Sequence, residues 1–512
     1  MSTDGERVDN HTSYFSLTKP LVASEWQFLA EGSAHVVLRY CGRNPKLAFK
    51  ILRLRKVDNL HLACHKDNIV ERLQVTDKLL WSCHSRLSST KVTSAEFSEE
   101  YVDSILRPLV GDNLTYPSDS INIDVDFLSA TAVAIAPMRD LCRVRNSEID
   151  FQAKFAVLHQ NHNLFPGSSA LRAACRPTFS VELKPKSCLA NTADCFGNLR
   201  FQLHQAIKVS TGRERRFSRY DPAGLFFGTT SGERPRESRF MWQGVVACRI
   251  RLRRTLLSLV ADPQNNFCVR RDDNKKYLPL ETYPPPDTCE SKSESARNYF
   301  VKVGSVLQLS SLAQLLRLDF CPLVLGVERF SKEAATIDCF LNVLITALEH
   351  SEVLSRVMAL QRMDRIGIQL ANVLAAKLIR HLLTGNERSP GELKAKNVFD
   401  RKSGTVSSQQ LLRDLIVSRT ATDCSVIIAL QPQQYSGLPF LSQGEMLLNI
   451  RGPRKQAESR EKVIRDCHIY RCHTAVVDLD MKSIFKLQEW LVQDTEIRAN
   501  YNVRARSSAS RY

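Results

Sequence analysis

The chain of 512 residues is 43% hydrophobic and 24% charged, with a mean hydropathy of −0.23; this leaves room for one large domain or two to four smaller ones without disulfides to hold a core together. Lys and Arg number 71 against 54 Asp and Glu, a net +17, which points to an anionic partner such as nucleic acid, an acidic membrane surface or a polyphosphate. The first residues, MSTDGERVDNHTSYF, carry no basic-then-apolar signal, the apolar run Phe127–Met138 is too short to span a bilayer, and the 15 cysteines form no CxxC pairs, so the expectation is a soluble intracellular protein with reduced thiols.

In chain order, residues 1–24 read as a polar, mobile segment. HVVLRY (His35–Tyr40) and LAFKIL (Leu47–Leu52), joined by CGRNP, read as a hairpin. After the polar stretch from His84 to Glu99, Tyr101–Val110 reads as a short helix, and Phe127–Met138 as a buried strand centred on Ala132–Ala136. Residues 199–209 have helical periodicity, and 333–384 are mainly helical, with Ile366–Thr384 ending at a C-cap candidate, Gly385. Residues 229–240, 271–298 and 386–408 read as exposed insertions. Two strands, Ser425–Leu430 and Thr474–Asp478, precede a final helix and a basic tail over 496–512. A β-rich front over 25–180 and a mixed, helix-dominated back over 181–495 suggest an α+β chain of two lobes.

Four constellations could carry chemistry. AEGSAHVVLRY places one glycine, Gly32, before a hairpin whose second strand brings Lys50 and Arg53. Such a loop and lysine can cradle nucleotide phosphates, and can equally be an ordinary hairpin with a solvated lysine. In VELKPKSCL, Glu182, Lys184 and Lys186 alternate along an extended run, so period two would set all three on one face. That is a stiff cationic clamp for phosphates, or lysines guarding an edge strand. In LRFQLHQAIKV, Arg200, His204 and Lys208 follow one helical stripe over ~12 Å. Their mutual repulsion favours an anion between them, a solvated face being the bland alternative. Finally, Asp423 and Asp478 lie at the ends of late strands, and Lys482, Lys486 and Trp490 recur behind them at intervals of four.

Together these segments resemble the inositol-pentakisphosphate 2-kinases. The resemblance rests on AEGSAHVVL, FKILRL, LRPLVG, ELKPKSC, LRFQLHQAIKVSTG, RYDPAGLFFG, DPQNNF, TDCSVIIAL and VVDLDMKSIFK, in that order, and covers the chain from about Glu25 to Trp490. It implies a two-lobed inositol-phosphate kinase with ATP between a β-rich N-terminal lobe and a larger C-terminal one. It also implies Mg2+ as cofactor, transfer to the axial 2-hydroxyl of inositol pentakisphosphate, and inositol hexakisphosphate (phytate) as product.

Position by position, the resemblance implies that Gly32, Lys50 and Arg53 lie on the nucleotide side. Lys184, Lys186, Arg200, His204, Lys208, Asn265, Asn266, Lys482, Lys486 and Trp490 would meet the inositol phosphate. Asp423 would activate the hydroxyl, and Asp478 would hold the metal. The chain departs from the pattern at Ala30, at His35, and at Cys268, where a basic residue is usual and Arg270 is the nearest substitute; Trp490 stands where Tyr is common. Cys321, Cys339 and His350 do not reproduce the zinc spacing of some relatives, so no zinc is expected. The remaining expectations are a nuclear or cytoplasmic protein, no obligatory protein partner, no nucleic acid and no membrane insertion. The rival readings are a non-catalytic relative that binds inositol polyphosphates and, behind it, a basic nucleic-acid-binding protein.

Overall fold

A computed structural model describes residues 20–58, 76–84, 86–87, 94–165, 178–186, 199–214, 216–218, 220–226, 238–261, 264–272, 329–383, 406–433, 441–442, 444–451 and 467–509. The architecture is α+β, with antiparallel sheets and packed helices. The chain divides into two compact units: Met1–Glu71 with Ser89–Asp103 and Tyr116–Asn161, and Arg72–Ser88 with Ser104–Thr115 and His162–Tyr512.

The first unit is built on a six-stranded sheet. Its strands β1 (Trp26–Glu31), β2 (His35–Tyr40), β3 (Lys50–Asp58), β4 (Asp119–Asn122), β5 (Ser147–Ile149) and β6 (Phe155–Gln160) run in the order β1-β2-β3-β6-β4, with β5 paired to the end of β3. The expected hairpin is present, with Leu38 opposite Leu52 and Val36 opposite Leu54. All four side chains are buried, as two alternating strands sharing an inner face require. They join Trp26, Leu47, Ile121, Ile149, Ala156 and Leu158 in one core.

That core is closed by a helix where the sequence reading placed a strand. Val125–Ile135 (α1) is helical: Asp124 accepts a hydrogen bond from the Phe127 N–H as N-cap, and the helix passes into a tight turn, Ala136–Met138, that contains Pro137. Phe127, Leu128, Thr131 and Ile135 are buried, whereas Val133 is 77% exposed. This is helical spacing, which an unbroken apolar run with alternating alanines does not advertise.

The second unit contains a five-stranded sheet of β7 (Thr178–Leu183), β8 (Phe267–Asp272), β9 (Ser425–Gln433), β10 (Glu445–Arg451) and β11 (Cys467–Val477), ordered β10-β11-β9-β7-β8. The middle strand, β9, is buried from Ser425 to Pro432, as expected for a run of Val, Ile, Ala and Leu with strands on both sides. Helices α2 (Leu199–Ser210), α3 (Ser238–Ala261), α4 (Arg329–Ser351), α5 (Val353–Gln361), α6 (Gly367–Leu383), α7 (Ser408–Asp423) and α8 (Lys486–Ala509) complete the unit. The last of these runs through the segment read as a tail. Gly385 and the bulk of the three proposed insertions lie outside the described residues.

Candidate functional site

Strand β7 delivers the lysine-rich motif. Glu182 and Lys184 stand two residues apart on one face, and Lys184 Nζ lies 3.9 Å from Glu182 Oε1. The strand ends at Leu183, and Lys186 takes a left-handed φ of 57°. Lys186 therefore leaves the face that period two assigned to it. Its backbone segment is tied from several directions. The Lys184 N–H donates to the Asn266 carbonyl (2.9 Å), and the Tyr220 hydroxyl donates to the Pro185 carbonyl (2.9 Å). Gln361 Nε2, at the end of α5, donates to the Lys186 carbonyl (2.7 Å). Three elements hold this turn, so its lysines are presented from a rigid backbone.

Helix α2 brings the next cations. It packs on α8 through Leu203, Ile207 and Ile497. The expected stripe is present, but its members differ in state. Arg200 forms an ion pair with the buried Asp494, which also accepts from Arg498 Nε (2.7 Å). His204 Nε2 lies 2.8 Å from Gln493 Nε2. Burial, followed by the positive charges of Lys208, Lys186, Arg200 and Arg213, drives the His204 pKa down to about 4. The imidazole is thus neutral at pH 7. Burial also lowers the Lys186 pKa, reinforced by Lys184 and Lys208 and opposed by the Asp423 carboxylate. Lys186, Lys208, His204 and Arg213 therefore share one electrostatic neighbourhood in which positive charge is in excess.

Two chain segments supply carboxylates. Asp423 ends α7 with its side chain 54% exposed, and Lys482 Nζ lies 3.5 Å from its Oδ2. Asp478 follows β11 in the left-handed region, φ 60°, a conformation that a non-glycine residue holds only when its surroundings impose it. The segment after it is anchored by Asp77, whose Oδ1 accepts the Ile484 N–H (2.9 Å). Glu182, on β7, receives Arg270 Nη2 at 3.1 Å, so the arginine two residues beyond Cys268 does reach this cluster. Asn266 is 1% exposed, and neither atom of its side-chain amide has a partner among the described residues, whereas Asn265 is exposed. A buried amide in that state is a place where a ligand completes the hydrogen bonding. Trp490 stacks beneath Arg419 (5.5 Å to the ring centre), and Lys486 is exposed at the start of α8.

In the first unit, the Gly32 N–H is used by the His35 carbonyl (2.9 Å), and its own carbonyl accepts from Arg143 (2.7 Å). Lys50 pairs with Asp119 at 3.4 Å, and Arg53 meets His35 Nδ1 at 3.1 Å. Positions 50 and 53 differ by an odd step, so these two cations stand on opposite faces of β3. Beside them, Glu31 lies buried between Lys56 (2.7 Å) and Arg139 (2.9 Å). Burial alone would raise the Glu31 pKa, but hydrogen bonds and charge from Arg139 and Lys56 reverse this and lower it.

Several of these partners carried no signal in the sequence. Gln361, Gln493, Asp494 and Asp77 are polar residues inside helical or loop segments, and they matter only through contacts with distant parts of the chain. Tyr220 and Glu182 lay inside quoted motifs and were legible there. Ser425 stood beside Asp423 and could have been noticed.

Comparison with known proteins bears on this arrangement. A family model described as inositol-pentakisphosphate 2-kinase matches residues 28–496. The chain is 24% identical over 422 residues to an inositol-pentakisphosphate 2-kinase of Arabidopsis thaliana, covering 80% of this chain and 81% of that one. It is 22% identical over 498 residues to the rice (Oryza sativa subsp. indica) protein of the same name, covering 93% of each. A zebrafish (Danio rerio) protein so named is 23% identical over 255 residues, 48% of this chain and 43% of that one.

Proposed function

This chain belongs to the inositol-pentakisphosphate 2-kinase family and is a kinase, and on that footing we propose that it transfers the γ-phosphate of ATP to the 2-hydroxyl of inositol 1,3,4,5,6-pentakisphosphate, giving inositol hexakisphosphate. The observation that carries the proposal is the excess of positive charge around Lys186, Lys208, His204 and Arg213, with the half-exposed Asp423 beside it. Five phosphates need such a surplus, and a hydroxyl acceptor needs a carboxylate within it.

In this reading Lys184, Lys186, Lys208 and Lys482 bind the substrate phosphates, and the orphaned amide of Asn266 finds its partner there. His204 enters as a neutral donor. Asp423, held by Lys482, orients the 2-hydroxyl and accepts its proton. Lys50 takes the nucleotide phosphates by exchanging Asp119 for them; Arg53, on the other face of β3, supports the strand. The exposed carboxylate of Asp478 offers hard oxygen donors that fit Mg2+. When bound, the metal supplies charge neutralisation across the phosphoryl oxygens. Most of the rate enhancement then comes from positioning and electrostatics.

The deciding experiment incubates the purified protein with ATP, Mg2+ and inositol pentakisphosphate and resolves the products by anion exchange. Hexakisphosphate formed in step with ADP is the expected result. ADP without hexakisphosphate overturns the acceptor assignment. No transfer, with hexakisphosphate still bound more tightly than inorganic polyphosphate, favours the non-catalytic reading.

A further inference from the structure

Ser425 opens β9 and is fully buried. Its hydroxyl oxygen lies 3.1 Å from Glu182 Oε1 and 3.1 Å from Asp478 Oδ2. The sheet explains why. Val477 pairs with Ser425 across β11 and β9, and Leu183 pairs with Val426 across β7 and β9, so the serine sits between the two strands that carry the acids. A hydroxyl has one proton to give. Glu182 also faces Arg270 at 3.1 Å and Lys184 at 3.9 Å.

The φ of 60° at Asp478 is strained for an aspartate, and its carboxylate serves a cation only when it is held in one orientation. On the reading that Asp478 holds the divalent cation, we propose that Ser425 is the positioning residue of that site. Its hydroxyl donates to Oδ2 of Asp478 and holds that carboxylate in one orientation. The serine also joins the lysine-rich strand to the cation site, because Glu182, the neighbour of Lys184, lies 3.1 Å from the same hydroxyl.

The test measures cation binding directly, apart from turnover. Mn2+ is titrated into the full-length protein with a non-hydrolysable ATP analogue, and free Mn2+ is read by electron paramagnetic resonance, for wild type, Ser425→Ala, Ser425→Thr and Asp478→Asn. Partners that orient a metal-ligating carboxylate typically change metal affinity by 10- to 100-fold, so Ser425→Ala is expected to weaken Mn2+ about tenfold or more, and Ser425→Thr, which keeps the hydroxyl, to restore most of it. The Mg2+ dependence of activity should shift in parallel, with KM for the inositol phosphate unchanged. If Ser425→Ala binds Mn2+ like wild type while Asp478→Asn does not, Ser425 has no positioning role and the Asp478 reading stands. If Asp478→Asn itself binds normally, that underlying reading fails and takes this inference with it. Should Ser425→Ala fail to fold, Ser425→Cys, close in size and a poor donor, replaces it: weakened Mn2+ at an unchanged melting temperature supports the proposal, and normal Mn2+ overturns it.

Discussion

Both units build charge into the neighbourhood of an antiparallel sheet, and they treat it in opposite ways. In the first, Glu31 is enclosed by Lys56 and Arg139, Lys50 leans on Asp119, and Arg53 meets His35. In the second, burial and then the charges of Lys208, Lys186, Arg200 and Arg213 keep His204 neutral. The difference separates structure from function. On the proposed function, the paired charges belong to the fold, whereas the surplus of one sign meets the substrate phosphates.

The largest effect should follow from the carboxylate inside the surplus. Asp423→Ala is expected to slow phosphoryl transfer by about 10²- to 10⁴-fold, the usual range for a general base, while binding of the inositol phosphate holds or tightens as Lys482 loses its partner. Single-turnover kinetics beside calorimetry will show it, and wild-type transfer would remove Asp423 from the mechanism. Next comes the balanced unit. Glu31→Ala leaves two buried cations facing each other and should cost about 3–5 kcal/mol of stability, read as a lower denaturant midpoint, with KM for the inositol phosphate unmoved. A KM effect equal to that of the lysine variants would erase the contrast between the units.

Removing one member of the surplus should be milder and opposite in kind. Lys186→Ala or Lys208→Ala takes away one charge-assisted hydrogen bond worth roughly 1.5–3 kcal/mol, raising KM for the inositol phosphate about 10- to 100-fold while the unliganded protein keeps or gains stability. A defect confined to ATP would move these lysines to the nucleotide side.

The smallest effect concerns pH. The His204 pKa is about 4 in the folded, empty protein and near 6.5 when unfolded. The unfolded chain therefore binds more protons between those values, and stability from this residue is complete above pH 6.5 and lost as pH falls toward 4. A bound polyphosphate reverses the field and raises the folded pKa. Stabilisation by inositol hexakisphosphate should therefore grow from pH 7 to 5.5 in wild type, and grow less in His204→Asn, in which the titrating group is gone. Identical pH profiles for the two proteins would show that the imidazole never senses the ligand.

Much of the frame was legible before any coordinates. The hairpin, the helix over residues 199–209 and the strand at Ser425 follow from short-range patterning, and the motif order from the family resemblance. The helix Val125–Ile135 was not, because an apolar run lacking a polar face fits either period, and the decision lay with the cap at Asp124 and with what the first core had left to cover. The site divides the same way. Which residues carry charge is written in the chain; whether the charge is spent is not. Arg200 is committed to Asp494, 294 positions away, and His204 sits against Gln493. Ser425 lies between acids contributed by two other strands. By itself, then, the sequence determined the local elements, the order of the motifs and the sign of the site. Tertiary structure alone decided which cations find a partner among the described residues and how Asp478 is held, because an ionisable group takes its state from burial and from charges within a few ångströms, and those neighbours arrive from anywhere in the chain.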